Sequence, residues 1–280
     1  MDCLSHRVRQ AVGAVTIALR IVPIEALVSA RRPHRMVERS VMFYRHAWMV
    51  FVSGFFEPLL YLLSVQVGFA ALVGDIVVDG IAYDYAEFVA PALLAAAAMN
   101  GAIFDATGNV FEKLKHTKLY DTVLATPMTA ADVAVGEILS AVSRAVIYSA
   151  AFIVTMWLLG LVASPWIVLA IPVCALIGCA FAAVGMAYTT FMRTWSDLEY
   201  VNAVTLPLLL FSATFYPLSS YGDWAWLVQL SPLYHGVAVV RGLNLGQFDW
   251  TMLAHLGVLV ALALAGLAVT SRRIEGLLLR

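Results

Sequence analysis

Charge is what this sequence has least of. Asp, Glu, Lys and Arg make up 12% of its 280 residues, against about 25% in an ordinary soluble domain. Apolar residues make up 62% and the mean hydropathy is +0.87. A soluble fold cannot cover so much apolar surface. The net charge of -1 supplies no basic field for nucleic acid, so no such partner is expected. Cysteine is also scarce: Cys3, Cys174 and Cys179 are too few and too badly spaced for a disulfide framework or a zinc site. They read as small apolar residues, and no metal site is expected. G-x-x-x-x-G-K-[ST] is missing, which excludes a P-loop nucleotide site. H-E-x-x-H, G-x-S-x-G and Cys-x-x-Cys are missing as well, and the six histidines show no ligand spacing. No catalytic residue and no bound cofactor are therefore expected on this chain. A cleaved signal peptide is not expected, because the apolar stretch 11–19 is short and lacks a small-residue cleavage site.

Long apolar runs are what the sequence does have. Six segments approach the roughly 20 residues needed to cross a hydrocarbon core, near 47–72, 86–107, 137–161, 166–191, 199–216 and 251–270. Backbone groups facing lipid must be satisfied within the segment, so each is expected to be a helix. The alternation that a membrane β-barrel needs is absent. Pro58, Pro91, Pro172 and Pro207 are expected kink positions. The expected fold is all-α, with a cytoplasmic segment 1–45, a six-span domain 46–271 and a tail 272–280.

Orientation follows from where Lys and Arg fall. Arg7, Arg9, Arg20, Arg31, Arg32, Arg35, Arg39 and Arg45, then Lys113, Lys115 and Lys118, then Arg193, Arg272, Arg273 and Arg280 place fifteen of seventeen on one side. The other side carries Asp75, Asp79, Asp84 and Glu87. Both termini are thus expected in the cytoplasm, with the chain in a bacterial cytoplasmic membrane. Residues 4–45 mix apolar positions with arginines at helical spacing, which suits a helix lying in the interface, although a basic tail would share that composition. The stretch 216–247 is too apolar for a free loop. It is broken by Pro217, Gly222, Pro232, Gly236 and Gly242, and reads as a re-entrant hairpin of two short helices. Trp48, Trp157, Trp166, Trp195, Trp224, Trp226 and Trp250 mostly fall near span ends, as an interfacial belt would.

Few residues are candidates for a functional role. In the loop between the second and third spans, Thr117–Thr126 reads as a short helix ended by Pro127. Leu119, Val123 and Leu124 form its apolar side, the side expected to meet a partner. Thr117, Tyr120, Asp121 and Thr126 complete it. Within the spans, Glu57 and Arg144 are expected to pair near mid-membrane or to line a path, since an isolated charge there is costly. Glu137 is a competing partner, seven residues from Arg144 on the same helix face. Asp105 and Glu137 read as hydrated interface residues.

These loops carry a resemblance. The stretch Phe111–Glu137, Phe215-Tyr216-Pro217-Leu218, Ser231-Pro232-Leu233-Tyr234-His235-Gly236 leading to Arg241-Gly242, Tyr85-x-x-Phe88-x-x-Pro91 and Met99-Asn100 resemble the ABC-2 type permease family. The nearest likeness is to its NodJ-like branch, associated with lipo-oligosaccharide export, over roughly residues 38–273. The resemblance implies a permease without ATP sites of its own, with ATP and Mg held by a separate ATPase subunit. It also implies a second permease copy or paralogue, contacts with membrane lipids, and a lipidic, glycolipid or drug-like cargo passing between the two permeases. The loop carrying Thr117–Pro127 would take the ATPase. Phe215, Tyr216, Pro217, Pro232 and Arg241 would gate the outer exit. A rival class, a membrane-embedded enzyme acting on lipid-linked substrates, would use Glu57, Asp105 and His235 as acid or base groups. These lie at different depths, which argues against proton transfer among them.

Overall fold

The computed structural model describes residues 34–46, 56, 59–78 and 81–278. Glu57 and nearly all of the proposed interface segment before His34 lie outside the described residues. Among the described residues the chain is helical with one short hairpin. Helix α1 spans His34–His46, α2 Leu59–Phe69, α3 Tyr85–His116, α4 Leu119–Leu124 and α5 Ala130–Leu158. Helix α6 spans Pro165–Thr189, α7 Leu198–Leu210, α8 Ala225–Leu230, α9 Pro232–Leu245 and α10 Thr251–Leu278. Four of these, α3, α5, α6 and α10, are long and apolar enough to cross a membrane.

The all-α expectation needs one correction. Strands β1 (Asp75–Val78) and β2 (Ile81–Asp84) pair antiparallel, with Val78 opposite Ile81 and Asp75 opposite Asp84. The run Ile76-Val77-Val78-Asp79-Gly80-Ile81 is the reason. Asp-Gly between β-branched residues favours a two-residue turn whose twist matches the strands it joins. Asp84 then caps α3, its carboxylate accepting from the Ala86 N–H at 2.7 Å.

Helix α3 is the central stave, buried continuously from Phe88 to Met99. Its alanine run lets α5, α6 and α9 pack closely around it. Two π-helical turns, Asp105–Asn109 and Glu112–His116, interrupt its regular bonding. A π turn leaves carbonyls poorly served by their own helix. Thr189 of α6 donates to Ala106 O at 2.9 Å and also to Gly185 O at 2.9 Å, so the bulge becomes a link between helices.

Side chains form two cores. One holds Phe88, Leu94, Phe152, Ile177, Leu233 and Val240. The other, at the opposite end, holds Met36 of α1, Val110, Tyr120, Ile138, Met186 and Ile274. Helices α6 and α10 approach most closely at Gly266, where a Cβ would sit 2.7 Å from the Ala183 carbonyl carbon and 2.8 Å from the Val184 nitrogen. Backbone cannot yield as a flexible side chain does. Gly266→Ala should therefore destabilise the protein by about 1–3 kcal/mol, while Gly257→Ala, which meets open space, should be neutral. Denaturation midpoints in detergent would measure both.

Several expected boundaries move. The second span was placed at 86–107, but its helix continues to His116. The tail expected from residue 272 is the end of α10, which runs unbroken to Leu278. Helix α7 ends at Leu210 rather than 216, because Phe211 turns out of helical geometry and Ala213 adopts a left-handed φ of 53°. Gly236 and Gly242, read as breaks, lie inside continuous α9.

Candidate functional site

Helix α4 is short, and its placement depends on what surrounds it. Lys118 precedes it at a left-handed φ of 47°, an uncommon conformation for a residue with a side chain. The turn 125–127 follows, and Thr129 then starts α5 with a reciprocal capping box: its hydroxyl accepts from Asp132 N at 3.2 Å, and its own N–H donates to Asp132 Oδ2 at 2.9 Å. The chain is thus pinned on both sides of the loop.

Six residues cannot hold a helix by propensity alone; burial must do it. Tyr120 supplies that burial, ranking first by volume among the side chains under 2% exposed. Leu119 and Val123 pack beside it on the second core. The apolar side expected to face a partner therefore faces this chain's own bundle, since the nearest apolar surface available to it is intramolecular. Asp121, Thr122, Ala125 and Thr126 are exposed, and Leu124 is half-buried.

Beneath α4 lie two ion pairs. Lys113 Nζ donates to Glu137 Oε2 at 2.7 Å. Arg144 Nη1 lies 3.3 Å from Asp105 Oδ1, which also accepts from Asn109 Nδ2 at 2.8 Å. Arg144 Nε donates to Tyr148 Oη at 3.1 Å. Asp105 and Glu137 are both 3% exposed, which corrects their reading as hydrated interface residues. The described acidic partner of Arg144 is Asp105, which the sequence reading had set apart. Glu57, the partner first expected, lies outside the described residues.

The loop between α6 and α7 closes over this end. Trp195 meets Phe111 edge-on at 5.3 Å and stacks with His116 at 5.6 Å. Asp197 accepts from the backbone N–H groups of Arg193 at 2.6 Å and Thr194 at 3.1 Å. Those bonds hold its carboxyl below the ordinary carboxylate range.

At the opposite end, the other motif residues converge on Arg241. Its Nη2 donates to Ala213 O at 2.7 Å and to Thr214 O at 3.4 Å, and its Nε donates to Phe88 O at 3.2 Å. The guanidinium lies 3.7 Å from the centroid of the Phe88 ring. The resemblance puts this arginine at an outer gate; here it clamps the irregular segment after α7. Ser212 and Ser231 reinforce the clamp, with hydroxyls 2.6 Å apart. Phe215 is half-buried against the core, Tyr216 is exposed, and Pro217 and Pro232 open the helical turns that follow. His235 Nδ1 lies 2.7 Å from His255 Nδ1 on α10, an arrangement the sequence did not suggest. Asp105, its imagined partner in acid–base chemistry, is held by Arg144. Among the described residues no three His, Cys, Asp or Glu side chains gather as a metal site would require.

Between the two ends, Ile103, Phe181, Val184, Val204, Leu208 and Leu262 line an apolar cavity of about 430 Å³. That size falls within the range of ligand pockets, about 300–1,000 Å³.

Four helices long and apolar enough to cross a membrane, packed around α3, are the frame of a multi-pass membrane protein. The chain belongs to the ABC-2 type transporter family, whose profile matches residues 34–245. It is similar to Nodulation protein J of Sinorhizobium fredii, 28% identical over 228 residues that cover 80% of this chain and 86% of the relative. Nodulation protein J of Rhizobium leguminosarum bv. viciae is 28% identical over 207 residues, covering 72% and 78%. That of Rhizobium meliloti is 28% identical over 209 residues, covering 74% and 78%. The likeness is therefore to the NodJ-like branch, and the chain is a permease subunit of the ABC exporter kind rather than a catalyst in its own right.

Proposed function

We propose that this chain exports an amphipathic lipid or glycolipid across a bacterial cytoplasmic membrane, driven by a separate ATPase subunit that docks on α4. The observation that carries this reading is the geometry of α4. It is a helix fixed from below by a buried Tyr120 and presenting Asp121 and Thr122 outward, with Ala125 and Thr126 exposed in the turn that follows, and it is joined through short turns to the long helices α3 and α5. Force delivered to its outer face has two rigid levers to act on.

The working unit pairs this chain with a second permease, each with six spans. Here α2 forms part of the first span, and α7 with the segment after it forms the fifth. The Lys and Arg bias puts α4 and both termini in the cytoplasm. The hairpin of α8 and α9 is re-entrant at the outer face, where Arg241 holds the gate. The apolar cavity beside α7 suits the aliphatic part of a cargo, and the NodJ-like resemblance favours an acylated oligosaccharide.

The test is capture of an ATPase subunit by the tagged chain, followed by ATP-driven movement of a fluorescent acylated oligosaccharide in vesicles. Thr122→Arg or Ala125→Arg should weaken ATPase retention by at least about tenfold, because a steric and charged intrusion at a packed contact costs about 2 kcal/mol. Lys115→Ala, at the exposed rim, should change little at physiological salt. Retention unaffected by both arginine variants places the dock elsewhere.

A further inference from the structure

Glu137 stands where three elements meet. One oxygen, Oε2, takes the Lys113 ammonium from the extension of α3 at 2.7 Å. The other, Oε1, is buried and has no hydrogen-bond partner. The Tyr120 hydroxyl, arriving from α4, is likewise buried and has none. Burial first, then the charge of the Glu137 carboxylate and its closeness as an acceptor, push the Tyr120 phenol well above its ordinary pKa, against a smaller opposing effect of Arg39, so the hydroxyl keeps its proton. A buried donor and a buried charged acceptor thus lie close enough to interact, but not in the geometry of a hydrogen bond.

Buried polar groups are seldom left unpaired, because each forfeits its hydration without compensation. Two complementary ones on adjoining elements mark a contact that a small shift completes. Tyr120 fills its socket by volume, with Val110 of α3, Ala134 and Ile138 of α5 and Met186 of α6 in the same core, so pressing α4 inward moves the phenol within the core that α3, α5 and α6 share.

We propose that Tyr120, Glu137 and Lys113 form a joint in which docking of the ATPase drives the Tyr120 hydroxyl onto Glu137 Oε1, locking α4 to α3 and α5 so that the three move together. The proposal rests on the reading of α4 as the dock. Tyr120 and Glu137 are positioning residues: neither touches nucleotide or cargo. Tyr120→Phe keeps the volume and removes only the hydroxyl. Lys113→Met with Glu137→Met removes both acceptor oxygens together with the ammonium paired to them, so the phenol loses its acceptor and no lone ion stays buried.

The experiment purifies the chain with its ATPase subunit, reconstitutes the complex into vesicles of phosphatidylethanolamine and phosphatidylglycerol, and compares its ATP turnover with that of the ATPase alone. Tyr120→Phe and the paired Lys113→Met, Glu137→Met variant should each retain the ATPase within about twofold of the unaltered chain. Each should lower the permease-dependent stimulation by roughly tenfold, the loss expected of a hydrogen bond to a charged group. Adding Tyr120→Phe to the paired variant should cause no further loss, since the acceptor is already gone. Unchanged stimulation in Tyr120→Phe, a further loss on combining the two, or ATPase retention falling in step with stimulation would each overturn the joint while leaving α4 as the dock. Failure of the unaltered chain to retain an ATPase overturns the dock reading itself, and the joint with it.

Discussion

Replacing Arg144 with Met should destabilise the protein by about 3–5 kcal/mol, the usual consequence of leaving one member of a buried ion pair behind. Asp105 is 3% exposed and receives the Arg144 guanidinium at 3.3 Å. Asn109 would still donate to it, but an amide does not neutralise a carboxylate. The companion change Asp105→Asn removes the charge that needs neutralising. Arg144→Met with Asp105→Asn should accordingly recover most of the loss, because a neutral pair of similar volume costs far less to bury than a carboxylate that has lost its guanidinium. Chemical denaturation in detergent, followed by tryptophan fluorescence, gives both values. A double variant no more stable than Arg144→Met alone would mean that the charge pairing is not what matters at this place.

Arg241→Gln should cost about 3 kcal/mol or more, since a hydrogen bond made by a charged donor contributes about 1.5–3 kcal/mol and the guanidinium makes several at once. Gln reaches one carbonyl at best. Ala213 then loses the bond at 2.7 Å that holds it at a φ of 53°, a conformation unfavourable for a residue with a Cβ by roughly 1–2 kcal/mol. The segment after α7 should relax, and folding and export should fall together. A cysteine at Ser212, which is fully buried, reports the change: it should be inert to a membrane-impermeant maleimide in the otherwise unaltered chain and reactive in Arg241→Gln. Export lost with the cysteine still protected would instead mean that Arg241 serves export by something other than holding this segment.

What the sequence made legible was whatever depends on a local run. Hydropathy located α3, α5, α6 and α10, and the breakers around Pro127 isolated α4 between its neighbours. The β-hairpin was equally local, announced by Asp79-Gly80 between β-branched residues, but a membrane-wide expectation of helices hid it. Arg144 was understood to need a carboxylate, but not which one. Two features concealed the answer. Helices α3 and α5 continue past the apolar segment, so depth judged from hydropathy put Asp105 and Glu137 in water. The π turn at Asp105–Asn109 also adds a residue to the spiral, which rotates all that follows by about 100° relative to a regular helix. A wheel drawn with uniform pitch cannot bring Lys113 to Glu137. The apolar side of α4 was recognised as a side, but sequence could not say whether it met a partner or the bundle. Tyr120, fully buried between Leu119 and Asp121, decides for the bundle.

The contact at Gly266 bears on where the wall of the bundle can part. With the main chains of α6 and α10 separated by less than a methyl group's room, those two helices behave as a single plank. Helix α7 is the opposite case, with no fully buried residue along its length. Val201 and Leu208 lean on the core and line the apolar cavity at once, so any displacement of α7 would change the room inside that cavity.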